Sequence, residues 1–149
     1  MATAFLKNKL EESSSETLSI KILGSDFQGQ ARDLAQKLCD QYFHKQTNFI
    51  CGGETVVNIS AENLKNGCKG GRNQEIVLSF LLHLVEFYKM TSNYVPENFA
   101  KIDLPKFCFF SLGTDGQDGP TDAAGAVIDD EDVMFLLDSK NAKVRDLAY

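Results

Sequence analysis

Apolar residues recur along this chain with two different periods, and these periods predict alternating strands and helices. Residues Leu18 to Leu23 alternate between apolar and polar, which predicts a half-buried strand that ends at Gly24. A helix is predicted from a cap at Ser25 or Asp26 to about Tyr42, because its apolar residues are spaced three and four apart. These residues are Ala31, Leu34, Ala35, Leu38 and Tyr42.

The middle of the chain predicts two short strands and one long helix. The strands are expected at Asn48 to Cys51 and at Glu54 to Ile59, separated by two glycines. Because the step between them is short, we expect a hairpin-like turn and a partly antiparallel sheet. The helix is predicted from about Asn73 to Met90. Its broad apolar stripe consists of Ile76, Val77, Phe80, Leu81, Leu84, Val85 and Tyr88.

The last third of the chain continues the same alternation. After a polar, proline-marked linker from Thr91 to Pro105, the apolar run Phe107 to Phe110 predicts a buried strand. A further strand is predicted near Ala126 to Ile128, and a helix is predicted from Glu131 to Tyr149. The predicted fold class is therefore α/β, a layered α/β/α domain with a mixed, mostly parallel sheet.

The N-terminal residues are predicted to lie apart from this domain. Ala2 to Leu10 is expected to form a short helix, and the Ser/Glu-rich stretch Glu11 to Glu16 is expected to be a linker. We therefore divide the chain into a helix and linker segment, residues 1–17, and a main domain, residues 18–149.

Composition and charge exclude several classes of protein. Hydrophobic residues make up 43% of the 149 residues, which is enough for a packed core and argues against disorder. A net charge of -6, with Lys and Arg scattered, argues against binding to nucleic acids or to anionic membranes. There is no apolar run near eighteen residues and no secretory signal. Four cysteines without a C-x-x-C pair argue against a zinc site. Their even number leaves two disulfides open, but the high apolar content favours reduced thiols and hence the cytoplasm as location, with mitochondria left open.

The loop after the Phe107 strand contains the densest set of chemically active residues. Between Asp115 and Gly125 it has three aspartates, three glycines, a proline and a threonine. In α/β proteins, a loop at the carboxyl end of a strand is where ligands bind, and aspartates can hold a metal ion or a hydroxyl group. An ordinary turn is the alternative, since these residues are also common turn formers.

A second glycine-rich corner, Gly70-Gly71, delivers Arg72 to the start of the long helix. A helix N-terminus favours an anion, and an arginine adds a bidentate fork for phosphate or carboxylate. The alternative is that Asn73 is only an N-cap and Arg72 only a surface charge. The segment is neither a Walker loop nor a dinucleotide-binding motif.

Together the two corners indicate a site for a small anion or a phosphate. The acidic loop lacks the ligand spacing of a calcium-binding EF-hand, and it contains no histidine or cysteine for zinc. Magnesium fits better, because it needs only one or two carboxylates together with phosphate oxygens. An anion clamp with carboxylates is what phosphoryl transfer requires at the least. The residues by themselves do not indicate a substrate.

In four segments, which include both of these corners, the chain strongly resembles the C-terminal MOFRL region of kinases of the glycerate 2-kinase family. The resemblance extends from about Lys21 to the end of the chain and depends on four motifs. They are Leu23-Gly24-Ser25 with Gly29-Gln30-Ala31-Arg32, Gly52-Gly53-Glu54-Thr55-Val56, Gly70-Gly71-Arg72-Asn73-Gln74-Glu75, and the run from Gly113-Thr114-Asp115 to Ala126.

The resemblance implies an activity and a set of site residues. It implies that the gamma-phosphate of ATP is transferred to D-glycerate, giving 2-phosphoglycerate, with Mg²⁺ as the metal and Arg72 as the catalytic residue. Asp115 and Asp118 are the metal ligands expected on this basis. The residues expected to bind substrate or nucleotide are Gly52, Gly53, Glu54, Thr55, Gly70, Gly71, Asn73, Gln74, Glu75, Thr114, Asp115, Asp118 and Asp122.

The resemblance also implies that this chain is incomplete as an enzyme. Kinases of this family have a larger N-terminal domain that contributes much of the active site, and their MOFRL region continues beyond the last helix seen here. The expected partners are therefore that kinase domain, ATP and D-glycerate, and the chain alone is expected to be inactive. The alternatives are a non-catalytic module that binds a small anion or a nucleotide, and a fragment that modulates a full-length kinase.

Overall fold

Strands and helices alternate through the part of the chain that the computed structural model describes, namely residues 7–9, 19–41, 43–67, 69–91, 102–138 and 141. The strands are β1 (Ile20–Gln30), β2 (Asn48–Val56), β3 (Cys108–Leu112) and β4 (Gly125–Asp129). The helices are α1 (Ala31–Gln41), α2 (Ala61–Lys65), α3 (Arg72–Thr91) and α4 (Asp130–Leu137), with a 3-10 turn at Phe43–Lys45.

The ends of the chain are described only in part. Residues 7–9 are helical, within the helix predicted for Ala2 to Leu10, and the rest of that helix and the linker lie outside the described residues. The predicted C-terminal helix is confirmed over α4, and most residues after Leu137 likewise lie outside the described ranges. Helix α4 begins at a capping box. The Asp129 side chain accepts a hydrogen bond from the backbone N–H of Asp132, and the Asp132 side chain accepts one from the backbone N–H of Asp129.

The four strands form two pairs, and the α/β class is confirmed. β1 runs parallel to β2, and β3 runs antiparallel to β4. The hairpin predicted between Ile50 and Ile59 is wrong, because β2 passes through Gly52 and Gly53 without a turn. Its pairing with β1 extends from Ile20 opposite Asn48 to Gln30 opposite Val56, with Cys51 opposite Gly24 and Gly53 opposite Phe27, so pairing on either side of Gly52 keeps the strand extended. The antiparallel pair is formed instead by β3 and β4, on either side of the acidic loop.

Strand β1 is longer than the sequence predicts. Gly24, the predicted end of the strand, has a φ of 142°, and the register with β2 shifts on either side of it. A glycine adopts this backbone conformation without steric cost, so β1 bulges at Gly24 and then continues to Gln30. Ser25 and Asp26 are therefore strand residues, and the prediction that one of them caps α1 is wrong.

The hydrophobic core lies between the strands and one layer of helices. Every residue of the apolar stripe predicted for α3 is buried. In α1 the predicted stripe residues Ala31, Leu34, Ala35 and Leu38 are buried as well, and Tyr42 lies outside the described residues. Phe80 of α3 stacks on Phe109 of β3, with ring centroids 3.9 Å apart and an interplanar angle of 10°. Buried residues of α4 join the same core cluster. Among the helices described, none is long and apolar enough to cross a membrane.

The opposite face of the strands carries exposed apolar side chains. Phe110, Leu112 and Val127 are 53%, 55% and 62% exposed, and Phe110 pairs with Val127 across β3 and β4. The longer helices α1, α3 and α4 all contribute to the core on the other face. Within the described residues the longer helices therefore cover one face of β3 and β4.

Candidate functional site

A buried carboxylate joins the acidic loop to the start of α3. Asp118 is 1% exposed, and its two oxygens accept four hydrogen bonds. Asn73 donates its backbone N–H and its side-chain amide to Oδ1, both at 3.0 Å. Gln74 donates its backbone N–H to Oδ2 at 2.8 Å and its side-chain amide at 3.1 Å. Because the first N–H groups of a helix have no intrahelical acceptor, Asp118 acts as a cap on α3 from 45 residues away.

This cap changes the roles of two residues predicted for the site, Asn73 and Asp118. The sequence predicts that the N-terminus of α3 binds an external anion, but in the structure the carboxylate of Asp118 occupies this position. Asn73 lies inside α3 rather than at its N-cap position. A carboxylate offers about four lone-pair sites, and here four donors use them, so the metal role predicted for Asp118 does not fit this arrangement. Burial would raise the pKa of Asp118, but the hydrogen bonds from Asn73 and Gln74 outweigh burial and hold the pKa below its ordinary value.

The two glycine-rich corners fit together because neither has a side chain at the point of contact. A Cβ atom built on Gly71 would overlap the carboxyl group of Asp118. A Cβ atom on Gly119 would overlap the carbonyl oxygen of Gly70, and Gly119 has a φ of 59°, in the left-handed region that favours glycine. The glycines of both motifs therefore allow close packing of the two loops.

Replacing Gly71 by alanine is expected to lower the free energy of unfolding by about 2 kcal/mol, because the new methyl group displaces the Asp118 carboxylate from the start of α3. Urea denaturation followed by circular dichroism measures the change. Gly70→Ala is the matched control, since a Cβ atom on Gly70 would meet nothing within 4 Å. Equal stability of the two variants would contradict the proposed contact.

Arg72, the first residue of α3, reaches the carboxyl end of β2. Its Nη1 donates to Glu54 Oε1 at 3.1 Å and to the carbonyl oxygen of Thr55 at 3.4 Å. The Arg72 side chain is 45% exposed and that of Glu54 78%, so this ion pair contributes at most about 1 kcal/mol. Both contacts use Nη1, and the described residues offer no partner to Nη2 or Nε. These two nitrogens can therefore bind an anion without breaking a strong contact.

A cavity of about 980 Å³ lies between β2 and β3, and we call it the interstrand cleft. At one end it reaches the carboxyl ends of both strands and the start of α3. The predicted site residues that line the cleft are Gly52, Gly53, Thr55, Arg72, Asn73, Thr114 and Asp115. The predicted site residues fall in three stretches, 52–55, 70–75 and 114–122. The structure brings residues from all three to one end of the cleft.

The other predicted site residues do not line the cleft. Glu54 holds Arg72, and Glu75 forms an ion pair with Arg32 of α1. Gly70, Gly71, Gln74 and Asp118 take part in the cap contact and the packing around it. Asp122 is exposed on the acidic loop.

The three aspartates of the acidic loop do not converge on one point. Among the described residues, the only group of three potential metal ligands within 4.8 Å of one another is Cys39, Asp40 and His44, which does not include them. Within this group, burial of the Cys39 thiol, together with the negative charge of Asp40, raises the pKa of Cys39 to about 12, as expected of a thiol in the core. Asp115 is exposed, and its Oδ1 accepts the backbone N–H of Gln117 at 3.2 Å.

Sequence reasoning missed two hydroxyl groups that hold this network in place. Ser111 of β3 donates from Oγ to Asn73 Oδ1 at 2.6 Å. Thr121 accepts from the Gln74 side chain at 3.1 Å and donates to the carbonyl oxygen of Asp118 at 2.7 Å. Ser111 could have been found from the strand period, because it lies two residues after the inward-facing Phe109.

The fold and the site define an α/β domain with a cleft that residues of three glycine-rich stretches line at one end. The sequence matches the MOFRL family over residues 47–147, which is most of the chain. The chain therefore belongs to the MOFRL family, and the resemblance to the glycerate 2-kinase family is confirmed.

Several relatives are glycerate kinases. A D-glycerate 2-kinase of Thermotoga maritima is 39% identical over 93 residues, covering 62% of this chain and 17% of that enzyme. A glycerate 2-kinase of Picrophilus torridus is 35% identical over 115 residues, covering 73% of this chain and 22% of that enzyme. The chain thus spans less than a quarter of the length of these relatives.

A solved structure shows the same fold. The crystal structure of a glycerate kinase from Thermotoga maritima matches with a TM-score of 0.56 and 25% sequence identity. The match covers 97% of this chain and 33% of that chain. The described domain therefore corresponds to about a third of that kinase.

Proposed function

We propose that this chain is the part of a glycerate kinase that presents Arg72 to the phosphoryl group in transfer. In this proposal ATP donates its gamma-phosphate, D-glycerate accepts it, and 2-phosphoglycerate is the product. The observation that carries the proposal is the position of the Arg72 guanidinium, held by Glu54 and Thr55 at the end of the cleft that Asp115 also lines. Phosphoryl transfer depends on fixed positive groups that stabilise charge in the transition state, and an arginine so placed provides one.

The donor set at this end of the cleft also fits Mg²⁺. Magnesium is bound through one or two carboxylates together with phosphate oxygens and water, and the exposed carboxylate of Asp115 lines the cleft. When bound with ATP, the ion neutralises phosphate charge. Asp115 would hold it, whereas Asp118 remains the cap of α3.

The cationic groups of the cleft indicate that the domain needs further residues for catalysis. Arg72 and Lys106 are the cationic side chains that line it within the described ranges. Lys106 forms an ion pair with Asp130 at 2.5 Å. One available cation is too little for a triphosphate, whose charge kinases balance with a lysine, metal ions and backbone N–H groups together. We therefore propose that the rest of the site comes from kinase polypeptide outside these 149 residues.

The test compares this chain with a chimeric enzyme. In the chimera, the segment of the Thermotoga maritima D-glycerate 2-kinase that matches this chain is replaced by this chain. With ATP, Mg²⁺ and D-glycerate, ADP release is expected from the chimera and not from the chain alone. Robust turnover by the chain alone would overturn the proposed need for further residues. A chimera that is folded by circular dichroism but inactive, while the chain binds 2-phosphoglycerate in calorimetry, would favour a non-catalytic anion-binding module.

A further inference from the structure

A cysteine, an aspartate and a histidine meet at the end of α1, apart from the candidate site. Cys39 and Asp40 belong to the last turn of α1, and His44 lies in the 3-10 turn that follows it. One sulfur, one carboxylate oxygen and one ring nitrogen of these residues all lie within 4.8 Å of one another. None of the three residues lines the interstrand cleft. We call this group the α1 cluster.

The distance between the sulfur and the ring nitrogen of the α1 cluster fits a zinc site. Zinc binds cysteine sulfur at about 2.3 Å and histidine nitrogen at about 2.0–2.1 Å, usually with tetrahedral geometry, which places the two ligand atoms about 3.6 Å apart. Cys39 Sγ lies 3.7 Å from His44 Nε2, so an ion can bond to both with little movement. The Asp40 side chain is exposed, and its rotation has to bring an oxygen closer by about 1 Å at most.

Aromatic rings hold the imidazole of His44 in this orientation. The ring of Phe87 lies against it, with ring centroids 3.9 Å apart and an interplanar angle of 31°. The ring of Phe43 meets it edge-on, with centroids 5.7 Å apart, and Phe43 in turn packs edge-on against Phe80 of the core. Because the imidazole is already positioned, little side-chain entropy is lost when it binds an ion.

The donor set of the α1 cluster favours zinc over magnesium and calcium. Both of those ions take oxygen ligands, and the cluster offers only one carboxylate, whereas sulfur and imidazole nitrogen suit zinc. A thiolate and a carboxylate also balance the charge of a divalent ion. The sequence argues against zinc because it lacks paired cysteines. The chain reversal after α1 instead places a histidine beside a cysteine five residues earlier.

We propose that Cys39, Asp40 and His44 bind one Zn²⁺ ion, with water as the fourth ligand. Binding forms a zinc–sulfur bond and releases the thiol proton to solvent, so one proton leaves for each ion bound. The ion would tie the end of α1 to the 3-10 turn that leads into β2, because its ligands come from both elements. The proposal is independent of the proposed kinase activity, since the α1 cluster lies outside the cleft.

Cobalt substitution tests the proposal in the 149-residue chain, kept reduced and freed of metal with a chelator. Co²⁺ binds in zinc sites and reports its ligands, since a thiolate gives a charge-transfer band in the near ultraviolet and tetrahedral coordination gives strong visible bands. One equivalent of Co²⁺ is expected to produce both, and one equivalent of Zn²⁺ is expected to remove them, whereas Mg²⁺ has no effect. The absence of a charge-transfer band would overturn the proposal, because the contact between Cys39 and His44 would then be only a hydrogen bond.

The melting temperature provides a second measurement on the same protein. Zinc at about a hundredfold excess over its Kd is expected to raise the melting temperature by about 5 °C or more, because the ion binds the folded chain and not the unfolded one. A melting temperature that stays the same with saturating Zn²⁺ would contradict a site that joins α1 to the turn after it.

Single substitutions assign the ion to the α1 cluster. His44→Asn and Asp40→Asn change exposed side chains and leave the core intact, and His44→Asn is expected to weaken Zn²⁺ binding at least about 100-fold. Cys39→Ser, once shown by circular dichroism to be folded, is expected to lose the charge-transfer band. His83→Asn is the matched control, because His83 is the other histidine of the chain and lies on α3. Cys108→Ser removes an exposed thiol and is the control for cysteine.

Both control variants are expected to bind Zn²⁺ within about twofold of the parent chain, because neither residue belongs to the α1 cluster. Unchanged binding in His44→Asn would overturn the proposal, and so would an equal loss in His83→Asn, since the ion would then bind elsewhere on the surface. None of these readouts depends on ADP release. An inactive chimera would therefore contradict the proposed activity but not the zinc site.

Discussion

Replacing Arg72 by glutamine in the chimeric kinase is expected to lower kcat/KM for D-glycerate at least about 100-fold. Glutamine retains much of the side-chain length but removes the positive charge and the guanidinium fork, and with them the stabilisation of the transferring phosphoryl group. Glu54 and Thr55 hold Arg72 at the end of the cleft, so little ordering of the side chain is needed during catalysis. ADP release at varied D-glycerate concentration measures the effect.

Arg32 provides a matched control for this experiment. It also forms an ion pair with a glutamate, Glu75, but it does not line the cleft. Arg32→Gln is therefore expected to leave kcat/KM within about twofold, because an exposed ion pair contributes little to stability. Similar losses in the two variants would show that Arg72 acts through general charge rather than through its position. Full activity of Arg72→Gln would overturn its catalytic role.

Asp118→Asn is expected to lower the free energy of unfolding by about 3 kcal/mol and the melting temperature by roughly 10 °C. The carboxylate accepts four hydrogen bonds from Asn73 and Gln74 while it is buried. An asparagine of the same shape has one oxygen and directs an NH₂ group against two of these donors. Urea denaturation measures the loss. Asp122→Asn, on an exposed position of the same loop, is the control and is expected to cost less than about 0.5 kcal/mol.

The dependence of this effect on pH follows from the direction of the pKa shift. The pKa of Asp118 is lower in the folded protein than its ordinary value of 3.8, so the native state binds the proton more weakly than the unfolded state. The stability that Asp118 contributes is therefore fully present well above pH 3.8 and decreases as the pH falls through the lower folded value. The stability difference between the parent chain and Asp118→Asn should be constant near neutral pH and shrink below pH 3.8. A difference that stays constant down to pH 2 would contradict the cap.

Much of the fold could be predicted from local patterns. The apolar stripe of α3 was predicted residue by residue, because a helix with one buried face repeats apolar positions every three or four residues. The strands β3 and β4 were predicted to within about two residues for a similar reason, since each contains a short apolar run. β1 and β2 were predicted less well. Gly24 and the pair Gly52-Gly53 are turn formers in isolation, but pairing of Gly24 with Cys51 and of Gly53 with Phe27 keeps both segments within the strands.

The candidate site, like the fold, could be predicted from the sequence only in part. The sequence indicates that Arg72 and the acidic loop are chemically significant, because glycines beside charged residues at element ends are typical of binding loops. It could not assign different roles to Asp115, Asp118 and Asp122, which differ little in sequence. Only their burial separates them: Asp118 is enclosed against the start of α3, while the other two remain exposed.

By itself the sequence determined the α/β class, the buried face of each main helix and the motifs that place the chain in its family, because these depend on residue type and on spacing along the chain. The tertiary structure alone decided which carboxylate caps α3, that β2 continues through Gly52 and Gly53, and that Arg72 and Asp115 share one cleft. These features depend on contacts between segments about forty residues apart, such as that between Asp118 and Asn73. Local propensity contains no information about such contacts, because they form only when the core brings the segments together.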